Sequence, residues 1–350
     1  MRKSGKYLQI ADDLAGKIAL RDYYDQLPPL RDLARKYGVS LRTIQNAVMQ
    51  LSKRTLVVSD STRGIQILHP PSNKVICVFC NFRKGNSDDE LIRTLRESIE
   101  ADGYEVVFVD VPAKVCTDPN SAFWRYGWAD GYISLNGTSD YSIDRCLKSY
   151  RMSVLAANRA YRETPVSCVD FDHVLLLRRL VEELVERGYR RIALSFTICS
   201  RLIYDEVQEE FDQLRARYHL TEHPQWRPVP EHDTDITIPR EARISNQFRR
   251  ILGSVHKPEA IICYHKGMRF AKALAGEYGL ELGQDLQLLG TGYGDIPSAG
   301  FLPVDFSYSR LALELWKCLR QMIQSKGQDQ TQLTLLPPEP IDFSLIPSRK

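Results

Sequence analysis

Residues 27–52 read "LPPLRDLARKYGVSLRTIQNAVMQLS". Pro28 and Pro29 ahead of "LRDLARKYG" predict a helix that takes proline at its start and stops at Gly38. "GVS" then reads as a turn, with Ser40 as N-cap of a second helix. On that helix Ile44, Ala47, Val48 and Leu51 recur at helical spacing and form an inward-facing apolar stripe. The other side displays Arg42, Gln45, Asn46 and Met49. Arginine pairs with the guanine edge, and asparagine or glutamine with the adenine edge, so such a helix suits a DNA major groove.

Working outward, Tyr7, Ile10, Ala11, Leu14 and Ile18 predict an amphipathic helix over residues 6–20. Downstream, "LVVSDSTRGIQIL" (56–68) reads as strand, turn, strand, with Arg63 and Gly64 at the tip. An arginine there reaches backbone phosphate or the minor groove. Helix, helix, recognition helix and wing make a winged helix-turn-helix. Charge agrees: residues 1–72 hold twelve lysines and arginines against six aspartates, a net +6, so the rest carries −3 of the chain's +3. A basic head on a mildly acidic body points the head at a polyanion.

The signatures "LPPLRDLA", "YGVS", "TIQNAVMQL" and the wing "RG" occur in order, and this region resembles the DNA-binding domain of the GntR family of bacterial transcription regulators. The resemblance implies that Arg31, Ser40, Arg42, Thr43 and the wing around Gly64 lie at DNA, beside Gln45, Asn46 and Arg63 from the residue reading. Leu41 and Gln45 stand where that family usually or often has arginine, and Thr55 where it has glycine before the wing. The operator sequence therefore cannot be borrowed from relatives.

"HPPSNK" (69–74) reads as a linker, dividing the chain into a DNA-binding domain at 1–70 and an effector-binding and dimerisation domain at 71–350. Beyond it, strand-like and helix-like runs alternate. "KVICVFC", "YEVVFVD", "DGYISLNG" and "MSVLAAN" read as strands, with helices at "SDDELIRTLRESIEADG" and "YSIDRCLKSY". "VSCVDF", "DHVLLLRRLVEELVERG", "RRIALSF", "PEAIICY" and "DLQLLGTG" continue the theme. This predicts an α/β body of two lobes with parallel sheets and a ligand crevice at the strands' carboxyl ends. "ADGYISLNG", "VDFDHVLLLRRLVEELVERGYRRIALSF" and "KPEAIICYHKGMRFAKAL…GLELGQDLQLLGTG" resemble the effector domain of the LacI/GalR regulators, which has the type I periplasmic-binding-protein-like fold.

That resemblance implies a cleft-binding sensor that dimerises, with Asp172 as effector contact, although His173 stands where asparagine is usual. The family's pocket arginine is matched by Val207, leaving Arg201 to serve through a rearranged loop. "YHK" at Tyr264–Lys266 and "GTG" at Gly290–Gly292 replace two acidic motifs, which makes Tyr264 and Lys266 the expected effector contacts there. The lost acids argue for an altered, sugar-derived ligand of acidic character met by Lys266 and Arg201, or for a pocket without a ligand. Phe82, just past the first body strand, is the aromatic best placed to face the cleft, ahead of Trp124, Tyr126 and Trp128.

Other signals read as structural. Cys77 and Cys80 are spaced C-x-x-C within a strand, with no second pair for zinc, and eight irregular cysteines look like reduced thiols. His219 and His223 fall at a helix end, and "GTGYGD" (290–295) reads as a crossover near the hinge. No nucleophile–base motif, cofactor loop, metal set, signal peptide or membrane span is recognisable. The expectation is a cytoplasmic, non-enzymatic homodimer that binds a double-stranded operator, takes no metal or cofactor, and responds to a small sugar-like effector. The alternative is a ligand-free DNA-binding dimer that answers to a protein partner.

Overall fold

The computed structural model describes residues 5–19, 22–23, 26–54, 56–60, 62–67, 74–80, 88–110, 129–135, 154–157, 166–196, 201–227, 239–264, 267–291, 296–325 and 331–349. Phe82, Lys266, the tryptophan pair 124/128 with Tyr126, and the expected helix "YSIDRCLKSY" lie outside them, as do linker residues 69–73.

The head comprises α1 (Lys6–Ala19), α2 (Leu30–Tyr37), α3 (Leu41–Lys53) and an antiparallel pair, β1 (Val57–Asp60) and β2 (Gly64–Ile67). Its core draws one stripe from each element: Ile10, Ala11 and Leu14 of α1, Leu33 of α2, Ile44, Ala47, Val48 and Leu51 of α3, and Val57, Ile65 and Ile67 of the wing. Burying side chains of this size contributes about 1.5–3 kcal/mol each before chain entropy is counted. Surface links add orientation. Arg54 at the end of α3 pairs with Asp12 of α1 at 2.7 Å, and the Lys17 ammonium meets Asp13 at 2.6 Å and the Tyr37 hydroxyl at 3.1 Å.

Two parallel sheets build the body. The first has the order β12-β7-β6-β5-β3-β4, from β3 (Val75–Cys80), β4 (Glu105–Asp110), β5 (Gly131–Ser134), β6 (Val154–Ala157), β7 (Ser167–Phe171) and β12 (Leu333–Leu336). β3 is buried at every position, as a central strand covered on both faces must be. α4 (Asp88–Ala101) and α9 (Tyr308–Gln324) pack together against this sheet, and Asp102 accepts from Trp316 Nε1 and Arg320 Nη1 at 2.7 Å each. The second sheet runs β11-β10-β9-β8, from β8 (Ile192–Phe196), β9 (Ala260–Tyr264), β10 (Gln287–Thr291) and β11 (Phe301–Val304). α5 (His173–Glu186) packs on α6 (Arg201–Tyr218), and α7 (Arg240–Leu252) on α8 (Gly267–Glu277).

The chain passes between the lobes three times: at Asp172, at 305–307, and beyond β12. In the last passage the tail returns to the second lobe, where Gly300 N donates to Leu345 O at 3.2 Å and Tyr189 OH to Pro347 O at 2.9 Å.

Chain order does not decide sheet membership here. "VSCVDF" opens the second half of the chain yet supplies β7 of the first sheet, because it pairs in parallel with β6 and β12. Of "GTGYGD", Gly290 and Thr291 end β10 inside the second sheet, and 292–295 lie outside the described residues. Gly290 has φ 135° there, and a Cβ would sit 1.8 Å from the Cys263 carbonyl oxygen, so glycine is required by the close approach of β9.

Candidate functional site: a basic winged head and a two-lobed cleft

α3 begins with a built cap. Ser40 Oγ accepts from Thr43 N at 3.2 Å and lies 2.8 Å from Thr43 Oγ1, so both hydroxyls fix the helix start. Arg42 and Gln45 are exposed on this helix, with Thr43 and Asn46 half-buried. Arg31 on α2 and Arg63 on the wing tip are exposed as well. The wing turn is held by Asp60, whose Oδ1 accepts from Thr62 N, Thr62 Oγ1 and Arg63 N at 2.7–2.8 Å. The Thr62 hydroxyl, followed by the two amide N–H groups, lowers the Asp60 pKa below its ordinary value. Gly64 is exposed with φ 79°, a left-handed conformation that closes the turn at little steric penalty.

The head's charge is distributed unevenly. Asp12, Asp13, Asp32 and Asp60 are engaged with Arg54, Lys17, Arg35 and the wing turn. Among the described residues, no acid pairs with Arg31, Arg42 or Arg63. The exposed N-terminal end of α3 adds the positive pole of its helix dipole to these cations. The arrangement can hold phosphate through charge while the polar side chains of α3 face bases.

In the body, the carboxyl ends of both sheets meet at the lobe crossings. Phe171, last residue of β7, stacks on Phe306, just past β11, with ring centroids 4.5 Å apart. His173 packs edge-on against Phe306 at 5.0 Å and lies 5.8 Å from the Tyr264 ring at the end of β9. Tyr308 meets Phe171 edge-on at 5.6 Å. Tyr264 is fully buried, and its hydroxyl donates to the His173 carbonyl at 2.8 Å.

Asp172, on the crossing itself, is half-buried and caps α5: Oδ1 accepts from Leu175 N at 2.8 Å. Among the described residues its Oδ2 has no hydrogen-bond partner. Arg201 is the first residue of α6, and its side chain lies outside the described part, as do Phe82 and Lys266. Sequence reading missed Ser134, at the carboxyl end of β5, where a fully buried hydroxyl has no partner among the described residues. A lone serine in "GYISLNG" carries no sequence signal for that.

Cys77, Cys80, Cys168 and Cys263 are buried and form no disulfide among the described residues, and burial pushes the Cys77 thiol up to about 12. Among the described residues no cluster of three metal-ligating side chains exists, and no helix is long and apolar enough to cross a membrane.

The chain joins a winged helix-turn-helix head to a two-lobed α/β body. Residues 6–67 match the model of the bacterial regulatory proteins, gntR family. No curated protein matches the chain in sequence. Solved structures match in fold. A regulatory protein of the LacI family from Chloroflexus aggregans superposes with TM-score 0.63 at 18% identity, over 76% of this chain and 95% of that one. The transcription regulator CcpA of Lactococcus lactis gives 0.60 at 12%, over 75% and 95%. The transcriptional regulator CelR, solved as a cellobiose complex, gives 0.61 at 13%, over 89% and 98%. At these identities the likeness speaks for the fold. The family model and these structures are of regulators, not enzymes.

Proposed function

We propose that this regulator is a homodimer whose operator affinity is set by a small molecule, sugar-like or sugar-derived, bound between the two lobes. The observation that carries the reading is the junction at Asp172. There the carboxyl ends of both sheets converge on one aromatic cluster, and a half-buried carboxylate has one oxygen left for a ligand. Ligands of open parallel sheets bind outside the strands' carboxyl ends. The CelR structure of the same fold holds cellobiose, which supports a sugar as the class.

In this reading Asp172 accepts from a ligand hydroxyl and Phe82 stacks on the ring. Arg201 and Lys266 meet an acidic substituent. Tyr264 acts from beneath, through its bond to the His173 carbonyl. In the head, Arg31, Arg42 and Arg63 hold phosphate around the cap formed by Ser40 and Thr43. Gln45 and Asn46 read base edges, and Gly64 lets the wing approach. Closing the cleft changes the angle between lobes and hence the spacing of the two heads. A ligand shifts DNA affinity by the difference between its own affinities for the two states.

The test is thermal unfolding of the full chain against sugars, sugar acids and sugar phosphates. A compound that binds the folded protein stabilises it by ~2.7 kcal/mol at a hundredfold excess over Kd. A shift confined to one chemical class names the effector class. No shift across the panel sinks the sugar reading and favours the dimer that answers to a protein partner.

A further inference from the structure

We propose that Leu41 reads the 5-methyl group of a thymine in each operator half-site, making this regulator's base preference A·T-directed at the tip of its recognition helix. The inference rests on the DNA-binding reading of the head and deepens it.

Leu41 is the first residue of α3, directly after the Ser40 cap. It is 42% exposed, although the buried face of the same helix already carries Ile44, Ala47, Val48 and Leu51. The head core is thus complete without it. Leu41, Gln45 and Met49 follow at i, i+4 and i+8, so they form one stripe along the solvent side. Met49 is 48% exposed at the far end of that stripe, ~12 Å further along the helix at 1.5 Å per residue. Leu41 is therefore the apolar group at the N-terminal end, the part of a recognition helix that meets base edges.

The surroundings say what covers it. Arg42 follows directly, Arg31 and Arg63 are exposed on the neighbouring elements, and none of the three has an acidic partner among the described residues. An apolar side chain amid unneutralised cations at a helix N-terminus is matched by duplex DNA, with phosphates around the rim and bases at the centre. Leucine has no hydrogen-bonding group. Of the groups that base pairs present in the major groove, the thymine methyl is the apolar one. Gln45, one turn along, matches adenine through its amide. The pair selects thymine and adenine where an arginine at either position would select guanine.

The experiment uses the full chain. A preferred site is selected from a randomised duplex pool, and each thymine in it is then replaced singly by deoxyuridine, which removes the 5-methyl and nothing else. Binding is measured by fluorescence anisotropy for the wild type and Leu41→Ala. The expected result is one thymine per half-site whose demethylation weakens wild-type binding about three- to tenfold, with no such penalty in Leu41→Ala. Alanine at an exposed first-turn position keeps the helix, and an unchanged circular dichroism spectrum checks this. If no deoxyuridine weakens the wild type, or if the penalty persists in Leu41→Ala, the proposal is overturned while DNA binding stands. If no sequence is enriched from the pool, the DNA-binding reading fails and takes the proposal with it.

Discussion

The Tyr264 hydroxyl donates a 2.8 Å hydrogen bond to the carbonyl oxygen of His173, tying the end of β9 to the first turn of α5 where the chain enters the second lobe. Both residues are buried, and the rings lie 5.8 Å apart beside Phe306. Tyr264→Phe keeps the ring and removes the bond, leaving a buried carbonyl one partner short. The loss should be about 1–2 kcal/mol, read as a lower urea midpoint with the far-ultraviolet circular dichroism unchanged. Wild-type stability in the variant would mean that this bond does not hold the junction.

Asp172 combines two roles that substitution can separate. Its Oδ1 caps α5 through Leu175 N, and asparagine caps nearly as well as aspartate. Asp172→Asn should therefore keep the melting temperature within about 1 °C while abolishing the effector-induced shift. Asp172→Ala should lose both, with about 1 kcal/mol of stability gone. An intact ligand response in Asp172→Asn would remove the carboxylate from the site.

Arg42→Ala should weaken operator binding and reduce the slope of log affinity against log salt by about 1, as expected for one lost phosphate contact. Gln45→Ala should leave that slope unchanged and relax base preference at one position. Anisotropy titrations between low and moderate salt distinguish the two. Equal slopes for wild type and Arg42→Ala would place Arg42 away from the phosphates.

Glu259 anchors the C-terminal tail. Its carboxylate accepts from Arg190 N and Arg191 N at 3.0 and 3.1 Å and from Arg349 Nη1 at 2.9 Å. Burial works against its charge, but the two amides and the Arg191 and Arg349 guanidinium groups outweigh it, so its pKa is lowered from 4.5. A carboxylate whose pKa is depressed on folding stabilises above the unfolded value and loses that contribution as pH falls through the folded one. Stability should therefore fall as pH drops below 4.5, and Glu259→Gln should flatten that limb while costing about 2 kcal/mol at neutral pH. Denaturation midpoints measured from pH 3 to 7 check this; an identical acid limb in the variant would assign it to other groups.

The head was legible almost to the residue, because its information is local. Gly38, the Ser40 cap and the spacing Ile44-Ala47-Val48-Leu51 announce a helix pair through signals a few residues apart. The alternation of the body announced parallel sheets, but sheet membership did not follow. β7 lies in the middle of the chain and β12 near its end, yet they pair, since strand order is decided by packing between distant segments. α9, β12 and the returning tail were not read at all, though Leu311, Leu315 and Leu319 form a helical stripe that becomes the face of α9 against the first sheet. The cleft was least legible. Tyr264 is expected at the effector from its place after a strand, whereas the burial of its ring and the bond of its hydroxyl to His173 have no local signature.

The central claim is that cleft and head share one free energy, and linkage tests it most directly. The measurement is the dissociation constant of the effector identified by thermal shift, taken by calorimetry on the full chain alone and on the chain saturated with its selected operator. The account predicts that operator changes effector affinity at least fivefold, and that effector changes operator affinity by the same factor. Equal effector affinity with and without operator would contradict it, leaving a DNA-binding head and a ligand-binding body with no communication between them.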